Sequence, residues 1–145
     1  MGEAVQIVLP ATFTYLSLLG ACIGEMLLRA DGAARRTNLI YNVQLAAHEI
    51  CANIIEHAYA GRPGGDVHIT LTLTDSPPGL SIVMRDRGRA FDPAVAPPPD
   101  LDRVQEGGYG LYLAHALLDD VRYEPEPGGN CWRLFKRLPA DGSDP

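Results

Sequence analysis

The chain is poor in several features that mark particular classes of protein. It has three cysteines, Cys22, Cys51 and Cys131, with no Cys-x-x-Cys pair, so a disulfide framework is not expected. It has no run of Lys or Arg and a formal net charge of −6, which argues against binding to nucleic acid. No apolar stretch reaches the roughly 18–20 residues of a membrane span, and the N-terminus lacks a basic signal region. We therefore expect a cytoplasmic protein that binds neither nucleic acid nor membrane.

What the chain does contain is ordinary globular composition, with 46 % hydrophobic residues in a length of 145. Periodicity and turn residues predict elements in the order β-α-α-β-β-loop-α-β-β. The predicted elements are a strand at 4–9, helices at about 12–29 (with Thr12 as N-cap) and 35–60, strands at 66–74 and 79–86, a helix at about 109–119, and strands near 120–124 and 131–137. Because consecutive strands are joined by short turns, we predict a two-layer α/β sandwich whose sheet is mixed but mostly antiparallel, with helices on one face. We expect one domain over 1–139 and a disordered tail over 140–145.

Each of the first two helices has an apolar stripe at helical spacing, which predicts the face that packs on the sheet. The stripe of the first helix is formed by Leu16, Leu19, Ile23, Met26 and Leu27. The stripe of the second helix is formed by Leu39, Val43, Ala46, Ala47, Ile50 and Ile54.

Three polar residues follow one another at four-residue spacing along the second helix. Glu49, Asn53 and His57 would form one row beside the apolar stripe. The row is either a solvated helix edge or the lining of a pocket, where a carboxylate and an amide oxygen can face a metal–phosphate group. For His57, packing and hydrogen bonding at the helix end is the simpler interpretation.

Two glycine-bearing segments could complete such a pocket. Asp86 ends an apolar strand and is followed by Gly88; the pair is either a simple turn or a carboxylate at the mouth of the sheet beside a close-approach glycine. The segment 106–111, Glu-Gly-Gly-Tyr-Gly-Leu, opens the third helix, and its backbone N–H groups could bind an anion. It is not a P-loop, because the Lys-Ser/Thr pair is missing. The histidines and cysteines share no metal-ligand spacing, so no zinc site is predicted.

The combination and order of these segments resemble the GHKL (Bergerat-fold) ATPase superfamily, and within it the anti-sigma-factor serine kinases of the RsbW/SpoIIAB type. Three segments of this chain resemble the sequence boxes of that superfamily. HEICANIIEHAYAG (48–61) resembles the N-box, DRGRAFDP (86–93) resembles the G1 box, and EGGYGLYLAHALLDDV (106–121) resembles the G2 box. The His-Ala-Tyr ending and the short proline-rich segment between the last two boxes favour this kinase subgroup. The likeness extends over almost the whole chain.

This resemblance implies that the chain binds ATP and Mg²⁺ and phosphorylates a serine or threonine of a partner. By resemblance, Glu49 is the general base, Asn53 is the Mg²⁺ ligand, and Asp86 accepts from the adenine amine. The remaining nucleotide contacts implied are Gly88, Gly108, Tyr109, Gly110, Leu111, His57 and Arg103. The implied partners are a STAS-domain antagonist as substrate and a sigma factor or other effector as client, with a possible homodimer through the first strand and helix.

Two positions depart from the family pattern. Many members carry Gly-Thr near the penultimate strand, where the threonine helps to hold adenine, but here Gly129 is followed by Asn130 and Cys131. Some members have an Arg before the glycines of the G2 box, where this chain has Glu106, so positive charge would come from Arg103 or from an arginine of the G1 box, Arg87 or Arg89.

A non-catalytic sequestering module of the same fold is the alternative function. The catalytic domain of a histidine kinase is disfavoured, because no helix with a phospho-accepting histidine precedes the N-box.

Overall fold

The computed structural model describes residues 3–30, 37–60, 62–90 and 110–139. The strands are β1 (Glu3–Pro10), β2 (Asp66–Asp75), β3 (Pro78–Asp86), β4 (Asp120–Glu126) and β5 (Gly129–Arg137). The helices are α1 (Leu16–Leu28), α2 (Thr37–Asn53) and α3 (Gly110–Leu117). A 3₁₀ turn, Phe13–Tyr15, leads into α1, and a π-helical turn, Ile54–Ala58, continues α2. The predicted element order is confirmed.

The strands form one five-stranded sheet in the order β1-β2-β3-β5-β4. All four pairings are antiparallel, so the described strands include no parallel pair, and the expectation of a mixed sheet was wrong in that detail. The reason is that β2 and β3 are joined by a hairpin, as are β4 and β5, and β3 and β5 then meet in the middle of the sheet in opposite directions. β1 and β4 are the two edge strands.

The core lies between one face of this sheet and the helices. Both predicted stripes are confirmed, since every residue assigned to them is buried. The facing side of the sheet contributes alternate residues of β2 and β3, among them Ile69, Leu71, Ile82 and Met84. The other face of the sheet carries charged residues in cross-strand ion pairs, such as Arg85 with Glu126 and Arg133 with Glu124. The two-layer α/β architecture is therefore the one predicted.

Two helix boundaries differ from the prediction. Thr12 is the N-cap of the 3₁₀ turn and makes no side-chain capping bond, and α1 begins at Leu16. The second helix is α-helical only to Asn53, because residues 54–58 form the π-turn. Within the described ranges, no helix has the length and apolar character that crossing a membrane requires.

Candidate functional site

Glu49 and Asn53 meet the beginning of α3. A Cβ placed on Gly110 would lie 3.1 Å from Glu49 Oε2 and 3.3 Å from Asn53 Nδ2. Gly110 is buried, whereas Glu49 and Asn53 are partly exposed. A Cβ at these distances would be tighter than most contacts, so a side chain here would require Glu49 or Asn53 to shift slightly. The structure therefore brings together a carboxylate, an amide and the N-terminus of a helix.

His57 is placed differently from the other two members of the predicted row. It lies in the π-turn, whose i→i+5 hydrogen bonding changes the angular step between residues, so the row does not continue in α-helical register. Its side chain is exposed, with Nε2 3.9 Å from a carboxylate oxygen of Glu56. Its backbone carbonyl accepts a hydrogen bond of 2.8 Å from Arg89 Nε. The described contacts of His57 are thus those of a helix end.

Asp86 is a buried carboxylate, 5 % exposed, at the end of β3. Its Oδ1 atom accepts from the backbone N–H of Gly88 and from Asn130 Nδ2, both at 2.8 Å. Its Oδ2 atom is buried and has no hydrogen-bond partner within the described part of the chain. A buried carboxylate oxygen without a donor is costly, and it favours a ligand that brings an N–H group to that atom.

Burial also changes the proton affinities around Asp86. The pKa of Asp86 is raised from its ordinary value of 3.8, chiefly because burial disfavours the charged form; the hydrogen bonds from Asn130 and Gly88 oppose this, and the charge of Glu126 adds to it. The pKa of the buried Cys51 thiol is raised to about 12, first by burial and then by the charge of Asp86. Cys51 is therefore a protonated, unreactive thiol beside this carboxylate.

Gly88 packs against the end of the π-turn. A Cβ on Gly88 would lie 2.4 Å from the carbonyl oxygen of Ala58, a distance that atoms do not tolerate. The next residue, Arg89, donates its backbone N–H to the same Ala58 carbonyl at 2.8 Å. The glycine was expected because a flat ring could approach its backbone. The structure shows a separate reason for a glycine here, the approach of Ala58, and the approach of a ring stays a prediction.

Asn130, noted in the sequence only as a departure from the family's Gly-Thr pattern, contacts Asp86, which the sequence did not predict. It is 1 % exposed and lies opposite Asp86 in the register of β3 and β5. Its Nδ2 donates to Asp86 Oδ1 at 2.8 Å and to the carbonyl of Arg89 at 2.9 Å, and its Oδ1 accepts from the Tyr123 hydroxyl. The sequence contained the residue but not the strand pairing that puts it beside Asp86.

Several predicted contacts lie outside the described residues, namely Arg103, Gly108 and Tyr109. Leu111 is described and partly exposed in the first turn of α3. Of the two G1-box arginines considered for phosphate binding, Arg89 directs its Nε atom to the His57 carbonyl. In the same described ranges no three His, Cys, Asp or Glu side chains cluster as a metal site.

Comparison with known proteins identifies the family. Residues 9–136 match the sequence profile of the histidine kinase-like ATPase domain. The chain belongs to that family. Its Glu49, Asn53 and Asp86 all lie within the matched region.

Within the histidine kinase-like ATPase family, the chain is of the RsbW type. It is 30 % identical over 118 residues to the serine-protein kinase RsbW of Bacillus subtilis, covering 73 % of this chain and 72 % of that one. It is 29 % identical over 118 residues to RsbW of Bacillus pumilus, covering 73 % of each. It is 27 % identical over 155 residues to RsbW of Halalkalibacterium halodurans, covering 98 % of this chain and 88 % of that one.

Two solved structures share the fold of this chain. The structure of the RsbU and RsbW domains of Rv1364c from Mycobacterium tuberculosis superposes with a TM-score of 0.66 at 23 % identity, covering 98 % of this chain and 35 % of that longer one. The histidine kinase domain of the blue-light activated kinase from Erythrobacter litoralis EL346 superposes with a TM-score of 0.54 at 17 % identity, covering 90 % and 62 %. At these identities the likeness concerns the fold.

The residues of this chain fit the nucleotide that the family name implies. The unpaired Oδ2 of Asp86 can accept from an exocyclic amine. The space over Gly110, which a Cβ would fill, lies next to the carboxylate of Glu49 and the amide of Asn53. A magnesium ion held mainly by phosphate oxygens needs only one or two protein ligands of this kind, and it does not require a cluster of three.

Proposed function

We propose that this chain is an ATP-dependent serine/threonine protein kinase of a partner-switching system. Its substrate is a STAS-domain antagonist, and its client is a sigma factor or another effector that it holds when the antagonist is phosphorylated. The observation that carries the proposal is the position of the Glu49 carboxylate beside Asn53 and the start of α3. The relatives named serine-protein kinase RsbW support the reaction class.

Four described residues would hold the nucleotide and its metal. Asp86 Oδ2 would accept from the adenine amine, since this buried oxygen otherwise has no donor in the described residues. Asn53 would give its side-chain oxygen to Mg²⁺. Gly110 would offer its backbone N–H to the phosphates at the N-terminus of α3, where the helix favours negative charge, and Leu111 follows it. Gly108, Tyr109 and Arg103 would add contacts by their sequence positions.

Glu49 would act on the incoming hydroxyl. Its Oε2 atom would accept the proton of the partner's serine or threonine as that oxygen attacks, and a positioned base of this kind contributes about 10²–10⁴-fold to rate. The partly exposed position of Glu49 leaves room for a protein hydroxyl to reach it. When bound, Mg·ATP supplies the phosphoryl group and neutralises the charge on the phosphates; the protein's part is positioning and electrostatic stabilisation.

Replacing Glu49 by Gln tests the catalytic assignment. Glu49→Gln keeps the shape of the side chain and removes its basic oxygen, so we expect phosphate transfer to fall by about 10²-fold or more. Transfer is measured with γ-labelled ATP and STAS-domain proteins of the source organism, and ATP binding is measured by calorimetry with Mg²⁺. The matched control is Glu56→Gln, because Glu56 is an exposed carboxylate in the adjoining π-turn.

The outcomes separate the two candidate functions. Lost transfer with retained ATP binding in Glu49→Gln, and full transfer in Glu56→Gln, support the kinase. Full transfer by Glu49→Gln would remove Glu49 from the role of base. Tight partner binding by the unmodified protein without any transfer would favour the sequestering module instead.

A further inference from the structure

A series of hydrogen-bonded side chains, running from β4 to β3, fixes the orientation of Asp86. The Tyr123 hydroxyl on β4 donates to Asn130 Oδ1 on β5, and Asn130 Nδ2 donates to Asp86 Oδ1 on β3. The Tyr123 ring is packed against Trp132, with ring centroids 4.9 Å apart and planes inclined by 49°. The hydrogen-bonded series therefore joins three adjacent strands of the sheet, β4, β5 and β3.

The amide of Asn130 cannot turn over without breaking this arrangement. Both hydrogens of its Nδ2 are in use, one on Asp86 Oδ1 and one on the Arg89 carbonyl, while its Oδ1 accepts from Tyr123. A flipped amide would place its oxygen against the Asp86 carboxylate and the Arg89 carbonyl, two acceptors, and its N–H₂ against a hydroxyl donor. The three contacts thus select one orientation.

The same contacts make the two oxygens of Asp86 unequal. Oδ1 accepts from Asn130 and from the backbone N–H of Gly88. Oδ2 is buried and has no donor among the described residues. A half-turn of the carboxylate only exchanges two equivalent oxygens and restores this arrangement, whereas any intermediate rotation would break the hydrogen bonds from Asn130 and Gly88. The acceptor left for a ligand is therefore a single oxygen in one fixed direction.

We propose that Asn130 is a positioning residue that sets base specificity: it holds Asp86 so that Oδ2 meets the amino group of a 6-aminopurine. The proposal rests on the proposed function, because it assumes that the base lies at Asp86. A fixed acceptor gains a hydrogen bond from an amine, gains nothing from a ring hydrogen, and repels a carbonyl. Without Asn130, Oδ1 keeps only the Gly88 donor, and the carboxylate plane can turn so that neither oxygen points at the amine.

The test compares two nucleotides that differ only in the amino group. ADP and purine riboside 5′-diphosphate are titrated by calorimetry into the unmodified protein and into Asn130→Leu, which keeps the branched shape and removes the donors. We expect the ratio of the two dissociation constants to fall about tenfold in Asn130→Leu, with the affinity for the analogue nearly unchanged. A role in packing alone would weaken both ligands together and would leave the ratio as it was.

Tyr123→Phe provides a second variant, because it removes one hydroxyl and leaves the buried ring in place. It frees Asn130 to turn over, so the same ratio should fall, by about threefold. Tyr41→Phe, at an exposed position on α2, is its control and should leave the ratio unchanged. If Asn130→Leu does not fold, the ratio of dissociation constants in Tyr123→Phe decides whether Asn130 positions Asp86.

An unchanged ratio in the folded variants, with an unmodified protein that prefers ADP, would overturn the assignment of Asn130 and leave the proposed function intact. An unmodified protein that binds ADP no better than the analogue would instead overturn the placement of the base at Asp86, and the assignment of Asn130 with it.

Discussion

Asp86 is a buried carboxylate, and burial disfavours its charged form. Burial raises its pKa above 3.8, so the folded protein holds this proton more tightly than the unfolded chain does. Below pH 3.8 both states are protonated and the residue adds no penalty. As the pH rises from there through the raised pKa, the unfolded state ionises first, and the free energy of unfolding falls. Such a penalty is typical of a site that is organised for a ligand.

The fall in the free energy of unfolding with rising pH leads to a prediction for Asp86. Asp86→Asn removes the ionisation, so the variant should lose less stability than the unmodified protein as the pH rises from 4 to 7, and it should be the more stable of the two at neutral pH. Its affinity for ADP should fall about 10- to 100-fold, because an amine loses its charged acceptor. Urea unfolding across pH and calorimetry with ADP measure the two effects.

The control is Asp120→Asn, at a carboxylate that is 45 % exposed and paired with Arg122 at 2.7 Å. Its pH dependence of stability should follow that of the unmodified protein. The charge of Glu126 adds to the raised pKa of Asp86, and the charge of Asp86 in turn raises the pKa of Cys51. Parallel pH profiles for Asp86→Asn and the unmodified protein would contradict the buried-charge account.

At the scale of elements, the decisive contact joins the π-turn to the loop after β3. Two carbonyls of the π-turn, those of His57 and Ala58, accept from the Nε and the backbone N–H of Arg89, each at 2.8 Å. The Tyr59 hydroxyl extends the same contact, since it donates to the Asp66 carbonyl and accepts from the Arg87 N–H. The end of the α2 segment is therefore tied to the loop that follows Asp86.

Gly88→Ala is predicted to break this contact. Its Cβ would stand 2.4 Å from the Ala58 carbonyl, so the loop or the π-turn must move, and overpacking of this kind costs about 1–3 kcal/mol. The free energy of unfolding in urea measures the loss. Gly20→Ala is the matched control, because Gly20 lies in α1 with nothing within 4 Å of its Cβ position.

Gly88→Ala should lower the free energy of unfolding, whereas Gly20→Ala should not. Gly20→Ala should be neutral or stabilising by up to about 1 kcal/mol, since alanine favours a helix more than glycine does. Equal effects of the two changes would mean that the loop after β3 yields freely, and the contact with Ala58 would then have no energetic importance.

The sequence predicted the helices and strands well where a single periodicity decides them. The stripes of α1 and α2 were assigned residue by residue, because burial on one face leaves a 3.6-residue pattern in the chain. The π-turn was not predicted, since Ile54, Ile55 and Ala58 are buried there at a spacing that an α-helix would also allow. Its hydrogen-bond partners come from Arg89, some thirty residues away in sequence, which local patterns do not reveal.

The candidate site divides in the same way. Helical spacing put Glu49 and Asn53 in one row, and the family resemblance added Gly110; the structure places Gly110 beside both side chains. Asn130 could not, because its importance depends on the register of β3 and β5, in which it lies opposite Asp86. The family pattern marked Asn130 as a departure, but its contact with Asp86 follows only from the cross-strand pairing.

At the scale of the whole molecule, exposed apolar surface is concentrated in the first elements. Of the eight large apolar side chains exposed in the described ranges, six lie between β1 and the end of α1. They are Val5, Val8, Phe13, Tyr15, Leu18 and Leu28. β1 is also an edge strand, with one side of its backbone unpaired in the sheet. Exposed apolar side chains beside an unpaired strand edge favour association, in keeping with the homodimer that the sequence resemblance implies.

A charge in this surface should dissociate such a dimer. Leu18 is 49 % exposed on α1, and Leu18→Glu should shift the protein to a monomer in light scattering after size exclusion, because a buried carboxylate would face an apolar partner. Tyr41→Glu is the control, since Tyr41 is 62 % exposed on α2, outside β1 and α1. A monomer before any substitution, or a dimer that tolerates Leu18→Glu, would exclude this surface as the interface.

The contact between Tyr123 and Trp132 has an experimental consequence. Trp132 is the chain's single tryptophan, it is buried, and its neighbour Tyr123 is one hydrogen bond from Asn130 and two from Asp86. Ultraviolet emission excited at the indole band thus comes from one known position close to the carboxylate. The protein carries its own fluorophore, and occupancy beside Asp86 can be followed in real time by stopped-flow mixing without attaching a dye.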